Sequence, residues 1–66
     1  MKLVINGDER EIDNGATIAG FLAEKGLRPE MVVVEHNGEI VPRGDYAATE
    51  LADGDSLEVV QMMAGG

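Results

Sequence analysis

The chain ends on two glycines, and the carboxylate of Gly66 is the group whose setting points to chemistry. The last residues read VVQMMAGG, a hydrophobic run that stops at Ala64, Gly65 and Gly66. Glycine has no β-carbon, so a terminal glycine carboxylate can pass through a narrow tunnel in another protein. The four residues 63–66 reach roughly 13 Å when extended. The tail therefore predicts a carboxylate that is presented to a partner.

Acyl chemistry at such a carboxylate requires activation, because its charge is delocalised and its leaving group is poor. Activation as an acyl phosphate or adenylate uses ATP and Mg²⁺. The chain contains neither a G-x-G-x-x-G motif nor a complete Walker motif, so the chain itself is expected to bind no cofactor. An activating partner is expected to use ATP and Mg²⁺. The alternative for Gly65 and Gly66 is a frayed end without function.

Two other parts of the sequence contain residue types that could form a catalytic or metal site, but neither pattern predicts such a site. His36 is the single histidine and has no cysteine or evident nucleophile to work with, so a structural role is favoured. The segment Asp53-Gly54-Asp55 resembles the start of a calcium loop but lacks the later ligands, which favours a tight turn. We therefore expect no catalytic residue and no metal site, and hence no enzyme.

Composition limits the class of partner. Thirteen acidic residues against five basic ones give a formal charge of −8, which repels nucleic acid and anionic membranes and favours a protein partner with a basic surface. There is no cysteine, and no apolar run approaches the roughly 18 residues of a membrane span. Neither a signal peptide nor a membrane anchor is recognised, so a cytoplasmic location is expected.

The first part of the sequence predicts a hairpin. KLVIN places Leu3 and Ile5 on one face of a strand, and the dipeptide Asn6-Gly7 is typical of a two-residue hairpin turn. The return strand, over about residues 9–13, is mostly charged, which favours an edge position in the sheet.

One short amphipathic helix is expected next, over about residues 18–25. Thr17 is a plausible N-cap and Gly26 a C-terminal stop. The interior Gly20 indicates either a close approach to the sheet or simple tolerance, since glycine costs up to about 1 kcal/mol relative to alanine there.

Further strands follow the helix. MVVVEHN is a β-branched run that ends at Asn37-Gly38, with EIVP as a short partner strand. Residues 43–55 are predicted to be mostly loop around Tyr46 and Leu51. LEVVQMM then forms the last strand.

The two faces of the last strand have different expected roles. By the period of two, Leu57 and Val59 point under the helix, while Val60 and Met62 point outward. The outward pair lies just before the glycines and is predicted to dock a partner. One helix over one face of the sheet makes the fold α+β. We expect residues 1–61 to form the domain and residues 62–66 a flexible tail.

The chain resembles the ThiS sulfur carriers, within the ThiS/MoaD group of ubiquitin-like proteins. The resemblance covers nearly the whole chain, and its most specific parts are NGEIVPRGDY at 37–46, LADGDSLEVV at 51–60 and the terminal AGG. It implies a β-grasp fold, in which a mixed sheet of four or five strands wraps one helix.

The resemblance also implies a reaction. Gly66 is adenylated by a ThiF-like E1 enzyme, converted to a thiocarboxylate with sulfur from a donor such as a cysteine desulfurase system, and delivers the sulfur to a ThiG-like thiazole synthase. Gly65, Ala64 and Met63 form the segment that threads the partner's tunnel. Carriers for molybdopterin, cysteine, methionine or siderophore pathways stay open as alternatives, as does a ubiquitin-like protein modifier.

Overall fold

Five strands and one helix make up residues 1–62, the part of the chain that this computed structural model describes. In chain order these are β1 (Lys2–Ile5), β2 (Asp8–Glu11), α1 (Ile18–Glu24), β3 (Val32–His36), β4 (Glu39–Ile40) and β5 (Ser56–Gln61), with short 3₁₀ helices at Pro29–Met31 and Arg43–Asp45. The predicted order of hairpin, helix, hairpin and last strand is confirmed.

The strands form one mixed sheet in the order β2-β1-β5-β3-β4. β1 and β5 run parallel, with Ile5 beside Leu57, and the other neighbours are antiparallel. The predicted edge position of β2 is confirmed, although the strand spans Asp8–Glu11 rather than about 9–13. The first and last strands of the domain thus lie side by side at its centre.

Two Asn-Gly turns close the two hairpins. Asn6 and Gly7 have φ values of 51° and 86°, and Asn37 and Gly38 have 52° and 87°. A type I′ turn requires positive φ at both central residues, and its twist matches that of the paired strands. The predicted hairpins therefore follow directly from these two dipeptides.

The helix begins and ends where its caps place it. Thr17 is in an extended conformation, and its Oγ1 accepts a hydrogen bond of 3.1 Å from the Gly20 amide. At the other end Gly26 has φ 72°, and the amides of Gly26 and Leu27 donate to carbonyls in the last turn, as in a Schellman motif. A β-carbon at Gly20 would lie 3.3 Å from Thr17 Oγ1, so its close neighbour is the cap and not the sheet.

The core lies between α1 and one face of the sheet. Its buried side chains are Leu3, Ile5, Ile18, Phe21, Leu22, Val32, Val34, Tyr46, Leu51 and Leu57. The sheet contributes alternate residues and the helix contributes one stripe, and the loop after β4 adds an aromatic ring and a leucine. This is the β-grasp architecture. The helix of residues 1–62 has seven residues and is too short to cross a membrane.

Candidate functional site

The outward side chains of β5 lie where the sequence pattern places them. Leu57 is fully buried under the helix and Val59 is half-buried, whereas Val60 is 60% exposed and Met62, just after the strand, is 43% exposed. The orientation of Val60 and Met62 agrees with a docking role, and that role stays a prediction.

Val60 belongs to a partly apolar surface on the side of the sheet away from the helix, which we call the outer face. It lies directly opposite Val33 on β3, and the side chain of Val33 is also exposed. The next outward pair is Glu35 opposite Glu58. Like charges directly across a sheet repel one another. The outer face therefore combines exposed valines with a concentrated negative charge.

The end of β5 is held on both sides. On the β3 side, the Met62 amide donates a 2.7 Å hydrogen bond to the Met31 carbonyl, so residue 62 is still attached to the sheet. On the β1 side, the Asn6 side chain bonds both backbone groups of Val59. The predicted tail residues Met63, Ala64, Gly65 and Gly66 lie outside the described residues.

The start of β5 is held by the Asp55 carboxylate. Oδ2 accepts hydrogen bonds from His36 Nε2 at 2.7 Å and from the Ala52 amide at 2.8 Å, and Oδ1 accepts one from Asn37 Nδ2 at 3.1 Å. Burial by itself would raise the pKa of Asp55. The hydrogen bonds from these three residues and the charge of His36 outweigh burial, and they hold that pKa below its ordinary value.

These contacts give both His36 and the Asp53-Gly54-Asp55 segment a structural role. His36 bonds Asp55, and Asp53 Oδ1 accepts a 2.7 Å hydrogen bond from the Lys2 amide. The two aspartates of the Asp53-Gly54-Asp55 segment thus bind backbone and side-chain donors around a turn, with Gly54 at φ 89°. Among residues 1–62, no three His, Asp or Glu side chains are grouped to hold a metal ion.

A groove of about 340 Å³ opens beside the C-terminal half of β5, between the end of the helix and the first hairpin. Its walls include apolar side chains of the core and polar side chains at the rim. The lining residues are Ile5, Asn6, Asp8, Arg10, Phe21, Lys25, Leu27, Val59 and Gln61. The rim carries charges of both signs, so charge alone selects no class of ligand.

Sequence reasoning missed one residue beside the site, Asn6. The dipeptide Asn6-Gly7 predicted a turn, and the turn was found, but the partner of the Asn6 side chain lies 53 residues away along the chain. The turn would also accept glycine at this position, so the presence of asparagine is the only local indication of that contact.

Comparison with known proteins gives consistent results. The model of the ThiS family matches residues 3–66. The sulfur carrier protein ThiS of Bacillus subtilis is 37% identical over 65 residues, which covers 97% of this chain and 98% of that protein. The crystal structure of the thiamine biosynthesis protein ThiS from Geobacter metallireducens has a TM-score of 0.82 and 36% identity, with both chains covered completely.

Two relatives are much longer than this chain. The thiazole synthases of Paramagnetospirillum magneticum and Magnetococcus marinus are 47% and 41% identical to it over 66 residues. All of this chain is matched, but it spans only 20% of the length of either enzyme. In both, a segment similar to this chain is therefore part of the same polypeptide as the thiazole synthase.

Proposed function

We propose that this chain, which belongs to the ThiS family, carries sulfur for thiamine biosynthesis as a thiocarboxylate at Gly66. The observation that carries this proposal is the extent of the family match. It runs through residue 66 and so includes the terminal Gly65-Gly66 pair, on which the chemistry depends. The sulfur carrier of Bacillus subtilis supports the same assignment over nearly its full length.

The first step is activation of the Gly66 carboxylate. One carboxylate oxygen attacks the α-phosphorus of ATP on an E1-like partner of the ThiF type, and pyrophosphate leaves. A persulfide on a donor such as a cysteine desulfurase system then attacks the acyl carbon through its terminal sulfur and displaces AMP. A thiol reductant cleaves the S–S bond of the resulting acyl disulfide and leaves the thiocarboxylate. The missing β-carbon at Gly65 and Gly66 leaves the reacting carbon accessible and lets the segment pass through a narrow tunnel.

Docking on the activating partner uses the outer face. Val60 and Met62 are apolar anchors close to the reacting terminus, and Glu35 and Glu58 form the negatively charged outward pair next to Val60. Exposed apolar side chains ringed by charge are typical of docking sites, in which charge mainly accelerates encounter. The activating partner is thus expected to present a basic rim around an apolar patch.

The acceptor of the sulfur is a thiazole synthase of the ThiG type. Support comes from the two thiazole synthases that contain a segment matching all 66 residues of this chain. A carrier segment within the enzyme's own polypeptide would raise the local concentration of the reacting group at the active site. For a separate carrier, the same delivery is bimolecular and depends on docking.

The experiment that tests this proposal is ATP–pyrophosphate exchange with the activating partner. Deletion of Gly66, or addition of one residue after it, is expected to abolish exchange, and Gly65→Val is expected to reduce it by crowding the tunnel. Circular dichroism provides the control for folding, which should be unchanged. Exchange at the wild-type rate with the chain lacking Gly66 would contradict the proposal.

A further inference from the structure

We infer that Asn6 is a positioning residue for the transfer reaction, because its side chain holds the part of β5 from which the reacting terminus continues. The inference rests on the proposed function of Gly66. It concerns a residue at the opposite end of the sequence, in the turn between β1 and β2.

The contact between Asn6 and β5 reproduces the pairing of a strand. The Asn6 amide donates to the Leu57 carbonyl at 2.9 Å. Its side-chain Oδ1 then accepts from the Val59 amide at 2.8 Å, and its Nδ2 donates to the Val59 carbonyl at 3.3 Å. One asparagine therefore continues the β1 side of the sheet beyond the point where the backbone turns away.

The direction of the backbone hydrogen bonds along β5 shows why the contact between Asn6 and Val59 affects the end of the strand. The Met62 amide bonds the carbonyl of Met31, the residue just before β3. Even-numbered residues of β5 thus direct their backbone groups toward β3, and odd-numbered residues direct theirs toward β1. On the β1 side, Val59 is the last residue with a partner among residues 1–62, since nothing there bonds the backbone of Gln61. In the part of the chain that the structure describes, Asn6 is thus the last residue that supports β5 on its β1 side.

The turn alone does not require asparagine at this position. Asn6 has φ 51°, a left-handed conformation that glycine adopts at no steric cost. Aspartate also tolerates this conformation and could accept from the Val59 amide, but it could not donate to the carbonyl. The amide side chain is the one that satisfies both backbone groups of Val59.

The second hairpin provides a matched control. Asn37 occupies the same turn position, with φ 52°, and its Oδ1 accepts a 2.8 Å hydrogen bond from the Ser56 amide at the other end of β5. Replacing either asparagine by glycine keeps the turn and removes a side chain that bonds β5. The two variants therefore both lose stability, but only Asn6→Gly releases the end near Gly66.

The test compares Asn6→Gly, Asn6→Asp and Asn37→Gly in the 66-residue chain. In the free protein, hydrogen exchange of the Val59 amide should be about tenfold faster in Asn6→Gly than in Asn37→Gly, since a lost hydrogen bond weakens local protection. With the activating enzyme, Asn6→Gly should raise KM for the carrier about fivefold with little change in kcat, because the terminus is less well positioned before it is bound. Asn6→Asp should lie between Asn6→Gly and the wild type.

The possible results distinguish a failure of the positioning role of Asn6 from a failure of the proposed function. Equal KM values for Asn6→Gly and Asn37→Gly, with a wild-type chain that is activated normally, would overturn the positioning role alone. A wild-type chain that is not activated would overturn the proposed function and the inference with it. If Asn6→Gly fails to fold, Asn6→Asp against the wild type decides by the same two measurements.

Discussion

Both ends of β5 are held by the side chain of an asparagine in a hairpin turn, but more polar groups take part at the start of the strand than at its end. At the start, Asn37 bonds Ser56 and also Asp55, and Asp55 in turn binds His36 and the Ala52 amide. At the other end, the side chain of Asn6 supports Val59 by two hydrogen bonds and the Met62 amide bonds the Met31 carbonyl. Among the described residues, no second side chain adds a hydrogen bond there.

The start of β5 thus has more stabilising contacts than its end. The start of β5 combines a fully buried leucine with a network of charged and polar groups. The end leads to the terminus that enters a partner in the proposed function, and its outward side chains are exposed. Strong local structure close to the reacting group would oppose threading, so a lightly supported end agrees with a carrier.

Truncation along β5 should show this gradient most clearly. Leu57→Ala is expected to destabilise the domain by about 3 kcal/mol, because it leaves a cavity in the core. Val59→Ala should cost less, since its side chain is half-buried, and Val60→Ala should cost under about 1 kcal/mol. Urea unfolding measures all three. Equal losses at Leu57 and Val60 would mean that the strand does not alternate between core and solvent.

Acid should weaken the start of β5 through Asp55. The pKa of Asp55 is lowered in the folded protein, so its ionised form contributes stability that is fully present above the unfolded value of about 3.9 and is lost as pH falls through the folded pKa. Asp55→Asn, which leaves hydrogen-bond donors facing one another, should cost about 2 kcal/mol at neutral pH.

The pH comparison needs the two proteins measured side by side, since other carboxylates also titrate in acid. The stability difference between wild type and Asp55→Asn should shrink as pH falls below about 4, because the wild-type carboxyl then becomes neutral. Thermal unfolding across this range measures the difference. A constant difference at every pH would show that the charge of Asp55 does not contribute.

The smallest effect on stability is expected on the outer face. Replacing Val60 and Met62 together by serine should change the free energy of unfolding by less than about 1 kcal/mol, since both side chains are exposed. It should weaken binding to the activating enzyme about tenfold. Ile40→Ser is a comparison on the same outer face, because Ile40 is 69% exposed and lies on β4 opposite Glu35, two strands away from β5. It tests whether the docking surface extends beyond β5. Unchanged binding by the double variant would place the docking surface elsewhere.

The features that sequence reasoning predicted depend on neighbouring residues. The turns at Asn6-Gly7 and Asn37-Gly38 and the cap at Thr17 involve groups within a few positions of one another, so their residue types carry the information. The alternation of β5 is equally local. The resemblance to the family added the β-grasp arrangement and the expected transfer of sulfur at Gly66, whereas the terminal residues by themselves predicted only a carboxylate that is presented to a partner.

What was missed depends on contacts between distant parts of the chain. The sequence favours a structural role for His36 and a turn at Asp53-Gly54-Asp55, but the hydrogen bond between His36 and Asp55 spans 19 positions and no local pattern indicates it. The contact of Asn6 with Val59 spans 53 positions and exists only because β1 and β5 are neighbours. The groove beside β5 likewise arises from the way the helix end and the first hairpin meet.

Intact-protein mass spectrometry tests most directly whether the Gly66 carboxylate carries sulfur, because it detects the change in mass of the chain. The chain is incubated with the activating enzyme, ATP, Mg²⁺ and a sulfur donor, alongside a chain with one residue added after Gly66. One terminal oxygen of the wild-type chain should be replaced by sulfur, and the extended chain should keep its mass. Equal conversion of both chains, or a wild-type product joined to lysine side chains and free of thiocarboxylate, would contradict the proposed function.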